Sequence, residues 1–109
     1  GVVVYSDHMN AYHAQMEMIV VHGAETLAQP KGMLLMTGQV GALGYLVKQL
    51  GLQAPASLKK NDEFNGLLKA VEQSVSTLDA AVMNQDMAAA KEAASKLKGP
   101  YSKLFAKFG

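Results

Sequence analysis

The sequence predicts an all-α chain, one domain over residues 1–109, folded as an antiparallel up-down-up-down four-helix bundle. Three observations carry this. Alanine, leucine, methionine, lysine and glutamine, all good helix formers, are abundant, while β-branched residues are scattered rather than alternating. Apolar residues recur at alternating four- and three-residue steps in four separate stretches, the mark of a helix burying one stripe. Short, long and short breaks separate the stretches, as antiparallel neighbours joined by one crossover require. At 109 residues, half of them hydrophobic and 17% charged, the chain can bury one core but not two.

The first helix is expected over 5–28, with Tyr5, Met9, Tyr12, Met16, Ile19, Gly23 and Leu27 as its stripe and Ser6 or Asp7 as its cap. Ala28-Gln29-Pro30-Lys31-Gly32 holds both strong helix breakers and ends it. The second helix is expected over 33–50, on Met33, Met36, Val40, Leu43, Val47 and Leu50, with Gly51 at its stop. Inside it Gly38, Gly41 and Gly44 each cost up to ~1 kcal/mol relative to alanine. Something should offset that, and the plainest reading is a neighbouring helix packed close. A flat cofactor or a dimer partner are the alternatives.

Gly51 to Asn61, with Pro55 in its middle, reads as the crossover. Asn61 or Asp62 caps a third helix over 62–83, whose stripe is Phe64, Leu67 or Leu68, Val71, Val75, Leu78 and Val82. After the turn Asn84-Gln85-Asp86, the fourth helix is expected over 86–107, on Met87, Ala90, Ala94, Leu97, Tyr101, Leu104 and Phe108. Pro100 interrupts it. Its ring removes the donor to the Lys96 carbonyl, so the helix should leave regular geometry between Lys96 and Pro100.

Composition narrows the function. The absence of cysteine excludes disulfides, thiolate ligands and covalently attached haem. Ten lysines, no arginine and nine acids give a net charge of +1, so no nucleic acid partner is expected. No apolar run reaches the ~20 residues that cross a bilayer, so no membrane insertion is expected. The opening GVVVYS has neither the basic flank nor the long apolar centre of a signal peptide, and the chain reads as one from which any such segment has been removed.

No nucleophile elbow, phosphate loop or metalloprotease motif occurs, and no glutamate-x-x-histidine pair, so an enzyme is not expected. His8, His13 and His22 are spaced five and nine residues apart and form no pair at three or four. Met9, His13 and Met16, at i, i+4 and i+7, do share one helical face, and thioether with imidazole suits Cu(I). Read blandly, the two methionines are core residues with His13 beside them.

The segment EFNGLLKAVEQSVSTLDAAV, the turn MNQDM, the run AAAKEAASKLK and the ending KLFAKFG resemble the last two helices of the periplasmic cytochrome b562 family, and more distantly the cytochromes c-prime. SDHMNAYHAQMEMI resembles the family's opening. The likeness implies a haem between the first and last helices near one end, held by a methionine at the position of Met9 and a histidine at the position of Phe105. Phe105 has no lone pair to offer iron. Tyr101, Leu104 and Phe105 stand where c-prime relatives carry the haem-attaching C-x-x-C-H residues.

The resemblance therefore implies a periplasmic, cytochrome b562-like bundle that has lost haem, with Tyr101, Leu104, Phe105 and Phe108 filling its volume. Met9 and Phe105 should approach each other inside one end, surrounded by Tyr12, Phe64, Leu68 and Tyr101. Its role would be non-enzymatic, through a protein partner of unknown identity, with homodimer formation open. Two alternatives stand beside it. One is a b-type haem electron-transfer protein with altered ligation through Met9, and the other is copper binding by Met9, His13 and Met16.

Overall fold

Six helical segments make up the structure, a computed structural model that describes residues 2–109 with side chains from Tyr5 onward. They are α1 (Val2–Ala28), α2 (Gly32–Leu52), α3 (Ala56–Lys59), α4 (Asp62–Met83), α5 (Met87–Ser95) and α6 (Lys98–Phe108). No strand occurs among the described residues. The all-helical expectation holds, and each boundary that moved has a local cause.

Helix α1 begins at Val2, so Ser6 and Asp7 lie in its exposed interior and cap nothing. No glycine or proline stands between Val2 and Ser6 to stop it earlier. At its other end Lys31 takes a left-handed φ of 61° and reverses the chain into α2. Gly32 is required there: a Cβ would strike the Thr26 and Leu27 carbonyls.

Gly51 does not stop α2, which runs on to Leu52. Pro55 sets the limit, because its ring excludes helical geometry from the residue before it. The expected crossover contains a single helical turn, α3, built directly on Pro55, whose carbonyl accepts from the Leu58 and Lys59 amides at 2.9 and 3.0 Å.

The Asn61 cap follows the sequence, and Asp86, expected as the end of a turn and the first helical residue, is a cap as well. The Asn61 side chain accepts from the Phe64 amide at 3.0 Å, and the Asp86 side chain from the Ala89 amide at 3.0 Å. The expected fourth helix is two segments. Its ladder gives way at Lys96 and Leu97, whose amides reach back only three residues, to Ala93 at 3.1 Å and Ala94 at 3.4 Å. Pro100 then occupies the first turn of α6, where a missing N–H leaves no intrahelical bond unmade.

The buried side chains form one core, with Tyr12, Met16, Ile19, Met36, Leu43, Leu50, Phe64, Leu78, Leu97 and Leu104 almost wholly withdrawn from water. Each such large apolar side chain contributes roughly 1.5–3 kcal/mol relative to exposure. Helix α1 packs on α2, α5 and α6, α2 packs on α4, and α4 packs on α3, α5 and α6, within extents of 45 × 22 × 20 Å.

The glycine expectation is corrected. A Cβ added at Gly38, Gly41 or Gly44 would meet nothing within 4 Å, so no helix packs close over them. They lie outward because the core seam of α2 is Met36, Val40, Leu43, Val47 and Leu50.

Candidate functional site

The residues singled out around Met9 collect at one end of the molecule. The Tyr5 hydroxyl donates to the Leu50 carbonyl at 3.1 Å, joining the start of α1 to the end of α2. Tyr5 also meets Phe64, at the start of α4, edge-on at 6.4 Å between ring centroids. Phe64 in turn meets Phe108, at the end of α6, edge-on at 5.4 Å. Two helix starts, of α1 and α4, and two helix ends, of α2 and α6, are thus tied by one hydrogen bond and two aromatic contacts, each aromatic pair worth roughly 0.5–1.5 kcal/mol beyond its burial.

Beside them the Tyr101 hydroxyl donates to the Met9 carbonyl at 3.2 Å. The Tyr101 ring lies 5.2 Å from Tyr12, stacks on His13 at 5.3 Å and faces Phe105 at 6.0 Å. Burial pushes the Tyr5 phenol up to about 12, with Tyr101 adding to the effect. Burial also raises Tyr12 and Tyr101. The Tyr12 hydroxyl is buried near Ser74 without a hydrogen-bond partner, and the Ser74 hydroxyl donates to the Val71 carbonyl at 2.7 Å. All three phenols are neutral at pH 7.

Met9, Phe64, Leu68, Tyr101 and Leu104 are buried as expected of the core, but Phe105 is not. It is 49% exposed and forms one wall of a small cleft of about 220 Å³, with Tyr5, Met9, Asn10, Leu58 and Phe108. Phe105 therefore does not fill the interior beside Met9. The reason is helical phase: Tyr101, Leu104 and Phe108 form the inward seam of α6, and Phe105 stands 100° further round than Leu104. Leu58 escaped the sequence reading because a single helical turn has no period to detect.

The proposed copper donors diverge. Met9 and Met16 are core side chains, whereas the His13 side chain is 48% exposed and its Nε2 lies 3.7 Å from Glu17 Oε1. Glu17 also pairs with Lys98 at 2.9 Å, and the hydrogen bond from that ammonium holds its carboxyl below the usual range against a smaller opposing desolvation. His22 lies near Glu25 at 3.7 Å, and His8 is half-buried. Among the described residues no three of histidine, cysteine, aspartate and glutamate converge.

The cleft does not fit a haem. Its volume lies below the ~300–1,000 Å³ of ordinary small-molecule sites, and Phe105 on its wall carries no donor atom. The Met9 thioether is the one soft donor on its wall, and Tyr101 uses its hydroxyl to fasten the Met9 backbone. No family model, curated protein or solved structure matches the chain. Among the described residues no helix is long and apolar enough to cross a membrane.

Proposed function

We propose that this chain is an antiparallel up-down-up-down four-helix bundle of the cytochrome b562 kind that no longer carries haem and acts in the periplasm as a non-enzymatic binding protein. The bundle reading rests on the ring of contacts from α1 to α2 to α4 to α5 and α6 and back to α1, with α5 and α6 together as the fourth helix. The Tyr5–Leu50 and Tyr5–Phe64 contacts support alternating directions, since they bring the start of α1, the end of α2 and the start of α4 to one end.

The observation that carries the haem-free reading is Phe105, half exposed on the wall of the cleft beside Met9 where the resemblance calls for an imidazole. A thioether alone is a weak hold on iron. The test is the visible spectrum of the purified chain before and after added hemin. A colourless protein that develops no sharp Soret band supports the reading. A coloured protein with stoichiometric iron favours electron transfer through a haem ligated by Met9 and some other side chain.

A further inference from the structure

The outward face of α2 carries a second seam that the core does not use. Leu34, Gly38, Gly41, Tyr45, Lys48 and Leu52 follow one another at strict four- and three-residue steps, the spacing of a coiled-coil seam. Each stands two residues, or about 200°, from the core seam of the same helix. Leu34, Tyr45 and Leu52 are 68%, 63% and 55% exposed, and Lys48 is the one charged side chain of α2.

This seam is complementary to itself when reversed about residue 43. Gly41 and Tyr45 lie two residues either side of that point, Gly38 and Lys48 five, and Leu34 and Leu52 nine. In an antiparallel pair each large side chain would meet a glycine or another leucine. We propose that two copies of this chain associate through this face, α2 against α2 about a two-fold axis level with residue 43, each Tyr45 seated over the other copy's Gly41.

The space for that ring exists. Gly41, Gly44 and Gly51 floor a groove of about 450 Å³ between α2 and α4, and a Cβ at Gly41 would meet nothing within 4 Å. The stem of Lys48 lies across the other copy's Gly38, which is equally open. The seam from Leu34 to Leu52 runs about 27 Å at 1.5 Å per residue.

Charge matches as well. Gly51 packs against Leu68, and eleven residues back along α2 and on along α4 bring Val40 level with Asp79, on the groove wall. The second copy's Lys48, arriving at Gly38, comes within two residues of the level of Asp79, which has no ion pair within its own chain among the described residues. The two-fold axis repeats this placement.

Sedimentation equilibrium of the full chain tests this. The wild type should show twice the 11.6 kDa of one chain, and Gly41→Leu and Tyr45→Glu should each weaken association at least tenfold while retaining their helical circular dichroism. Because the chain has no cysteine, Gly41→Cys and Tyr45→Cys chains can report the register. Oxidised together they should cross-link to each other, and each alone should cross-link far less. A wild type monomeric at every concentration, a dimer indifferent to both Gly41→Leu and Tyr45→Glu, or preferential Gly41→Cys self-cross-linking would overturn the proposal. None of these outcomes depends on whether haem binds.

Discussion

The Tyr101 hydroxyl reaches across 92 residues of sequence to donate to the Met9 carbonyl at 3.2 Å, fastening α6 to α1 where the two helices frame the cleft. That carbonyl is already a helical acceptor, so the bond adds to the α-helical ladder rather than completing it. Removing the donor leaves no orphaned group behind. Tyr101→Phe should therefore destabilise by only ~0.5–1.5 kcal/mol, the net worth of one hydrogen bond, while Tyr101→Ala, which deletes the ring against Tyr12 and His13 as well, should cost ~3–5 kcal/mol. Urea denaturation of the two variants measures the difference, and equal losses would show that the ring contributes nothing.

Alkaline stability follows from the same phenols. Tyr5 titrates at about 12 in the folded chain against an ordinary 10, and burial raises Tyr12 and Tyr101 in the same direction. Below pH ~10 both states hold these protons and the stabilisation is fully present. As pH climbs from about 10 through the folded value, the unfolded chain releases protons that the native chain retains, and stability falls. Thermal unfolding followed by circular dichroism should show Tm declining over that interval, and the decline should shrink in Tyr5→Phe. A Tm that is level to pH 12 would contradict the burial of these hydroxyls.

Two glycines should respond to alanine with opposite signs. Gly66 is exposed, five residues into α4, with open space where a Cβ would go, so Gly66→Ala should stabilise by up to ~1 kcal/mol. Gly32 has backbone carbonyls in that place, and neither can give way without moving the α1–α2 turn. Gly32→Ala should lose at least as much as Gly66→Ala gains. Differential scanning calorimetry decides both, and a gain at Gly32 would mean that the turn is looser than its contacts imply.

The four stripes were legible because the core positions of α1, α2 and α4 repeat with the helical period and because Asn61 announces the start of α4. The proline told where the fourth helix would break. It could not tell at what rotation the chain would re-enter, and that rotation decides whether Phe105 faces inward. The outward stand of Gly38 and Gly41 was within reach of phase arithmetic, since Met36, Val40 and Leu43 occupy the opposite face. Alpha-helical periodicity says nothing of α3, so the contribution of Leu58 to the cleft needed coordinates.

Pro100 offers a direct check on that break. Replacing it with alanine restores an N–H that can reach the Lys96 carbonyl, and removes the clash that costs ~3 kcal/mol in a continuous helix. Pro100→Ala should raise helicity slightly, and amide exchange at residue 100 should show protection comparable to its neighbours in α6. A fast-exchanging amide there would place the cause of the break in Gly99 instead.

The cofactor prediction turns on Phe105 and needs its corrected position. Since the ring is half exposed rather than packed inside, a haem entering beside Met9 would not have to expel it from the core. The obstacles are the small cleft and the absent second ligand. Phe105→His supplies an imidazole without disturbing Tyr101 or Leu104, and its exposed site makes the substitution tolerable to the fold. If ligation was what the chain lost, hemin affinity should rise at least tenfold over wild type, and a low-spin Soret band should appear that Met9→Ala abolishes. Should Phe105→His bind no better than the wild type, the cleft is closed by its packing. Enlarging it by Leu58→Ala in the Phe105→His background is then the variant expected to take up haem, and failure of that double variant would end the case for a haem site between α1 and α6.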